Sequence, residues 1–438
     1  MVVLIIGVTA FIVLWWRYRG AGPAVELDAV RTAGALMAGA GGAIALLLSA
    51  RRQRSTELTL VHQREVAQAT ERDAAEQRIT ELYTRAVDQL GAEKAPVRLG
   101  SLHALERLAQ NNPAQRQTIV DVICAYLRMP FTPPDDQAPD DDAPMDMHDR
   151  YGQCRQELQV RLTAQSILTA HLNPQAPAVF WADIDLNLAE AHLHQLSLSA
   201  CHVRRARFDG AMFAGGAGFN QAKFSSDALF DGAKFTGYAG FKGTEFVENA
   251  KFVGVEFVET ADFVGAKFTG KVWFCRAEFT GWHVWFREAT FIGDADFHRA
   301  KFAQDGQVAK DGKASQDVLF DGARFTGSAR FSVVEFGGKA RFVGVKFAGN
   351  SEFRWTTFVR SPELDEAAFT GKTEFHGARV GSSSHRVQLP MGWTTVSARP
   401  EKGEEGWLYV VRDQDSSKQP TEEGNRLREG QNSSKAGP

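Results

Sequence analysis

The sequence predicts a mainly β chain, a solenoid of short strands preceded by an α-helical region and two membrane-spanning helices. Three observations carry that expectation. Phenylalanine recurs five or six residues apart over nearly half of the chain, with a small residue two places ahead of each ring. A helix face would recur every 3.6 residues and a strand face every two, so neither element alone accounts for the spacing. Two long uncharged runs open the chain, and between them and the phenylalanines the apolar residues fall at helical intervals.

A chain of 438 residues is long enough for two or three domains. Lys and Arg number 50 against 53 Asp and Glu, a formal charge of −3, so no whole-chain bias points to nucleic acid. Cys124, Cys154, Cys201 and Cys275 are scattered, with no CxxC pair and no paired framework. That usage fits a reducing compartment.

Residues 1–54 read as a membrane anchor of two transmembrane helices. The opening run MVVLIIGVTAFIVLWW is uncharged and ends on a Trp pair suited to the lipid–water boundary. It is slightly short for a span, and it lacks the basic start of a secretory signal. The run from Thr32 to Ala50 has spanning length, and its Gly34, Ala38 and Gly42 suit close helix packing in lipid. Arg51, Arg52, Arg54, Arg64 and Arg72 follow it, against Arg17, Arg19 and Arg31 in the preceding loop. The positive-inside rule then puts the bulk of the chain in the cytoplasm. The competing reading is a buried hairpin of a soluble protein.

Residues 55–129 read as an α-helical domain. Ile79, Leu82, Tyr83, Ala86, Val87 and Leu90 form one stripe, which Gly91 is expected to end in the left-handed conformation. Pro96 suits the first turn of a second helix with leucines at 99, 102, 105 and 108. A third follows Pro113, with Ile119, Val122, Ile123, Tyr126 and Leu127 on one face. The acidic, proline-rich segment 130–150 has too few apolar residues for a core and reads as a linker. Helix resumes over 151–180 and leads into the repeats.

From residue 186 the chain reads in fives, LNLAE AHLHQ LSLSA CHVRR ARFDG AMFAG, with a large apolar residue third and a small one first. After Phe213 an extra residue enters every second unit, so Phe219, Phe224, Phe230, Phe235, Phe241 and Phe246 alternate five and six apart. The large residue and the small one two before it share the inward side of a short extended segment. The residues that follow, often TG, DG or VG, have the chemistry of a corner. Four sides of alternating length close a coil of about 22 residues, so Phe235, Phe257 and Phe279 should stack, as should Phe241 and Phe263. The repeat domain is expected over 181–380, with about nine coils over 186–380 once one loop is set aside. Seven residues separate Phe279 from Phe286, and eighteen separate Phe302 from Phe320, the latter marking a polar loop thrown out at 303–314. Leu364 replaces a ring beside Pro362, where a coil should be disturbed. Residues 381–411 no longer repeat and are expected to cap the open end, with Leu389, Trp393, Val396, Trp407 and Val410 against it. The polar tail 412–438 reads as disordered.

This pattern over 186–380 resembles the pentapeptide-repeat family, here in a membrane-anchored bacterial form with a helical N-terminal region. The resemblance implies a right-handed quadrilateral β-helix with one repeat unit per side.

No catalytic set emerges from the sequence, and neither a cofactor nor a metal is expected. GKT at Gly371–Thr373 lacks the upstream glycine of a phosphate loop, and neither HExxH nor GxSxG occurs. His192, His194 and His202 offer zinc ligands by residue type, but as outward residues they read first as solvated surface. The same holds for Asp135, Asp136 and Asp140–Asp142 in the linker. The best interaction surface is Trp273, Trp282 and Trp285, because exposed Trp clusters mark partner sites. The bland alternative has Trp282 filling an irregular corner and Trp285 replacing Phe286 inside. The loop with Lys310 and Lys313 is the second candidate.

The function expected from this reading is a non-catalytic, membrane-anchored scaffold that presents the β-helix to a protein partner the sequence does not identify. The alternative is a DNA mimic that binds topoisomerase or DNA gyrase, as some members of the resembling family do. The mixed outward charges, Lys223, Lys234, Lys251 and Lys267 among Glu245, Glu256 and Asp262, imitate a polyanion poorly and speak against a nucleic-acid partner. Oligomerisation through the membrane helices or the cap is left open.

Overall fold

The computed structural model describes residues 2–19, 22–134, 137–302, 317–381, 389–397 and 407–415. The chain divides into two compact units, Met1–Leu82 and Tyr83–Pro438. In the first, α1 (Val2–Tyr18) is followed by most of α2 (Pro23–Leu90), a helix of 68 residues. No Gly or Pro occurs between Gly42 and Gly91, so nothing in the sequence interrupts α2. Among the described residues one stretch, Val30–Ser55, is long and apolar enough to cross a membrane. Of the two expected spans this is the one that meets that length: α1, with 17 residues, rises about 26 Å against a hydrocarbon core of about 30 Å. A signal sequence near the N-terminus passes the same test of length and composition.

The second unit starts with the last turns of α2. Gly91 ends that helix without a positive φ, closing it instead by a bond from its N–H to the Asp88 carbonyl. Three further helices follow, α3 (Ala95–Asn111), α4 (Arg116–Arg128) and α5 (Met145–Leu172). Pro96 lies in the first turn of α3, and a 3-10 turn at Pro113–Gln115 leads into α4. Leu102, Leu105, Leu108, Ile119, Ile123, Leu127, Val160 and Leu168 form their shared core. Helix α5 begins inside the segment expected to be a linker. Its buried Arg161 donates to the carbonyls of Leu127 and Met129 and to Glu157, which also takes Arg98 and Tyr126. That cluster ties the chain leaving α4 to α5.

The repeats form a β-solenoid with four sheets, one per face, of parallel strands two or three residues long. The first face carries nine strands from Leu186–Asn187 to Thr373–Glu374, hence eight full turns rather than about nine. The first turn runs from Leu186 to Ala206, four sides of five. The next three follow the 22-residue repeat. Every phenylalanine from Phe208 to Phe353 is buried. Phe235 stacks on Phe257 at 4.9 Å between centroids, Phe257 on Phe279 at 4.8 Å and Phe241 on Phe263 at 4.7 Å. Rings of the first and third faces also meet across the axis edge to face, as Phe252 and Phe263 do at 5.7 Å. Where Thr244 and Thr356 take the small position, their hydroxyls donate to the carbonyls of Phe219 and Phe331, so neither of these two buried hydroxyls is stranded.

The two corner lengths use glycine for different reasons. Five-residue corners hold their second residue at positive φ, as at Gly210, Gly232, Gly243 and Gly254. Six-residue corners, which supply the TG pairs, have no such requirement at Gly270, Gly293, Gly327, Gly349 and Gly371. There each glycine packs on the backbone one turn earlier, Gly270 on Glu248 and the others each on the preceding glycine of the row, leaving no room for a Cβ.

Each end of the solenoid is covered. Pro362 takes the buried small position on the third face, where pairing with the turn before is reduced to a single bridge between Arg341 and Glu363, and that sheet has six strands, the fewest of the four. On the second face Trp393–Ser397 and Trp407–Arg412 pair antiparallel and extend the sheet beyond Arg379–Gly381. Trp393 lies 5.5 Å from Phe375, the last ring of its column. At the other end α4 and α5 take the place of a preceding coil. Gln117 donates to the Asp185 carbonyl and accepts its N–H, and Gln165 does both for His194. Thr169 donates to Ser197. Gln165→Ala is therefore expected to lower stability by about 1–3 kcal/mol, two net hydrogen bonds. Thr163→Ala, on the exposed side of α5, is the control, and a urea titration of the full chain followed by tryptophan fluorescence compares them. Equal midpoints would remove the capping role.

Candidate interaction surface

The interior is filled by rings, so chemistry-bearing side chains stand on the faces, one between each small residue and its ring. On the second face Lys234 pairs with Glu256 at 2.8 Å and Lys301 with Glu278 at 3.0 Å. On the first, Arg330 bridges Asp296 at 2.9 Å and Glu352 at 3.5 Å. On the third, Arg341 meets Glu363 at 3.1 Å. Such exposed pairs contribute about 0–1 kcal/mol each. Their larger effect is to cancel charge along these faces, which leaves no acidic rod to imitate a polyanion.

The structure separates the tryptophans that lie close in sequence. Trp273 is on the first face between Lys251 and Asp296, with the Lys251 ammonium 5.9 Å from its ring. Trp285 is on the third, the opposite side of the rod, between Asp262 and Leu319. Phe286 is fully buried and Val284 takes the small position, so Trp285 does not replace the ring inside. Trp282 stands at the corner entering the third face, 44 % exposed, and His283 stacks on Trp285 at 5.4 Å. Two turns earlier the exposed ring of Tyr238 donates its hydroxyl to the Asp262 carboxylate at 2.9 Å. Burial, and then that carboxylate, push the Tyr238 phenol up to about 12. Asp262 itself is buried and also accepts the Val264 N–H. Tyr238, Asp262, Trp282, His283 and Trp285 therefore form one aromatic patch without Trp273.

The long insertion leaves from the same corner. It follows Phe302 on the second face, and the chain re-enters the third face at Asp317, whose N–H donates to the Trp282 carbonyl. Lys310, Lys313 and the whole segment 303–314 lie outside the described residues, as does 416–438 of the tail.

The metal candidates do not converge. His192 and His194 share a strand on the second face while His202 is on the fourth, across the rod. Burial, then the charges of Arg161 and His194, push the His192 pKa down, and Phe131 meets its ring edge to face. Asp135 and Asp136 lie outside the described residues, and among those described no three His, Cys, Asp or Glu residues group around a metal position. All four cysteines are free. Burial pushes the Cys124 and Cys201 thiols up to about 12 and Cys275 to about 11, far from the range of a nucleophilic thiolate.

Residues 252–301 match the family model described as pentapeptide repeats, nine copies. The same pairing register continues on both sides of the matched segment, from Leu186 to Glu374. No curated protein and no solved structure matches the chain.

Proposed function

We propose, from the premise that this chain belongs to the pentapeptide-repeat family, that it is a non-catalytic scaffold held at a membrane by the helix over Val30–Ser55. In this reading the solenoid winds right-handed, stands on the cytoplasmic side and presents its third face to a protein partner. The observation that carries it is the patch around Trp282. A half-exposed indole, a stacked His–Trp pair and a tyrosine fixed by a buried carboxylate make a rigid aromatic surface on an otherwise polar rod. Such anchors order little on binding, because the backbone beneath them is already a hydrogen-bonded sheet. The solid ring core leaves the faces, rather than an interior cavity, as the surface for recognition. The arginines from Arg51 to Arg72 support the cytoplasmic placement.

Photocrosslinking in intact membranes tests the scaffold. A benzophenone at position 282 is expected to capture one protein of defined mass. The same group at Lys251, on the opposite side, should not, and Trp285→Ala should abolish the capture. Identical products from both positions would overturn the reading. Alkaline carbonate extraction tests the anchor separately: the full chain should stay with the membrane pellet and a chain lacking residues 1–54 should not.

A further inference from the structure

Charge cancels along three faces of the solenoid but not along the fourth. Its outward column runs Lys223, Glu245, Lys267, Thr290, Arg324, Lys346 in successive turns. Glu245 is its one carboxylate and pairs with Lys223 at 3.4 Å. Lys267, Arg324 and Lys346 are exposed, and none of the three takes an ion pair among the described residues. Adjacent strands are about 4.8 Å apart, so these three charges fall within about 14 Å, and Arg324 and Lys346, one step apart, lie inside the screening length of about 8 Å at physiological salt.

The neighbouring column on that face holds the residue after each ring. It reads Ser225, Val247, Thr269, Ile292, Thr326, Ala348, with no charge at all. Val247 and Ile292 are exposed there. A row of unpaired cations beside a row of hydroxyl and apolar side chains has the composition of a surface that lies at a lipid interface. It lacks the aromatic platforms that single-stranded nucleic acid stacks upon. The occupant is argued from the same chain, since a helix able to span a bilayer keeps the solenoid at high effective concentration beside one.

We propose that the fourth face, through Lys267, Arg324 and Lys346 with Val247 and Ile292 beside them, rests on an anionic phospholipid surface. This rests on the membrane-tethered reading above. The solenoid would then lie on the bilayer by its fourth face, turning other faces to the partner and using the cationic column as a dock that salt releases.

Lysine acylation followed by mass spectrometry tests it on the full chain in nanodiscs, one set of phosphatidylcholine alone and one rich in phosphatidylserine. Acylation of Lys267 and Lys346 should fall severalfold in the anionic discs and recover at high salt. Lys251 on the first face and Lys234 on the second should react equally in both. In the variant Lys267→Glu/Arg324→Glu the protection of Lys346 should be lost. Equal reactivity of Lys267 in the two sets, with the chain still eluting in the discs, overturns the proposal and spares the tether. A chain that does not elute with either disc overturns the tether instead. Protection by an added polynucleotide, absent with anionic lipid, would also overturn it and assign the face to nucleic acid.

Discussion

Phe263→Ala is expected to lower the stability of the solenoid by about 3–5 kcal/mol, the usual range for emptying a buried ring site. Phe263 stacks on Phe241 at 4.7 Å and Phe286 at 4.9 Å, and receives Phe252 and Phe274 edge to face at 5.7 and 5.4 Å. The site has little capacity to collapse, because each neighbouring ring is held by its own column and by strands paired on both sides. Repeat architectures distribute stability between nearest neighbours, so the loss should be local. Hydrogen exchange of the full chain reads this directly. Amides from Phe241 to Phe286 should lose protection, while the first turns, held by Gln117 and Gln165, keep theirs. Lys234→Ala, which removes an exposed ion pair at the same depth in the rod, should cost no more than about 1 kcal/mol. Comparable losses from the two variants would mean that the outer ladders, and not the ring columns, hold the coils together.

Much of this architecture was legible because the inward pattern is redundant. A ring and a small residue recur in every side, so the 22-residue register of Phe235, Phe257 and Phe279 could be counted before any coordinates. The outward surface follows the same register, and there a linear reading misleads. Trp273 and Trp285 are neighbours in sequence, yet twelve residues is about half a coil, which sets them on opposite faces. Tyr238 and Asp262 are distant in sequence but lie within two turns of Trp285 on its own face. Counting by coils, rather than by proximity, would have assembled that patch. The helical end was legible only as helices. Gln117 and Gln165 replace a missing strand with side-chain amides, and one glutamine in an amphipathic helix carries no periodic signal. The N-terminal segment was legible only in part: composition marks both apolar runs alike, and length separates α1, at 17 residues, from the longer stretch inside α2.

The second large effect concerns glycines that look like turn residues and are not. Gly327→Ala is expected to destabilise the rod by about 3 kcal/mol, the upper end of the overpacking range. A Cβ there would stand 2.5 Å from both the carbonyl carbon and the oxygen of Gly293, one turn earlier. Neither atom can yield, because each belongs to a backbone fixed by the ladders on either side of the corner. Gly293, Gly349 and Gly371 repeat the arrangement, so displacement at one corner passes to the next coil instead of being absorbed. Gly254→Ala supplies the contrast. Gly254 has φ +65° with nothing within 4 Å of a built Cβ, so alanine there meets only the left-handed penalty of about 1–2 kcal/mol. The fold tolerates that strain elsewhere, since Arg276, Val333 and Trp355 adopt the same conformation at equivalent corners. Thermal unfolding of both variants separates the causes. If Gly254→Ala proved the more damaging, the six-residue corners would be ordinary turns and the close approach of successive coils would not be what selects glycine there.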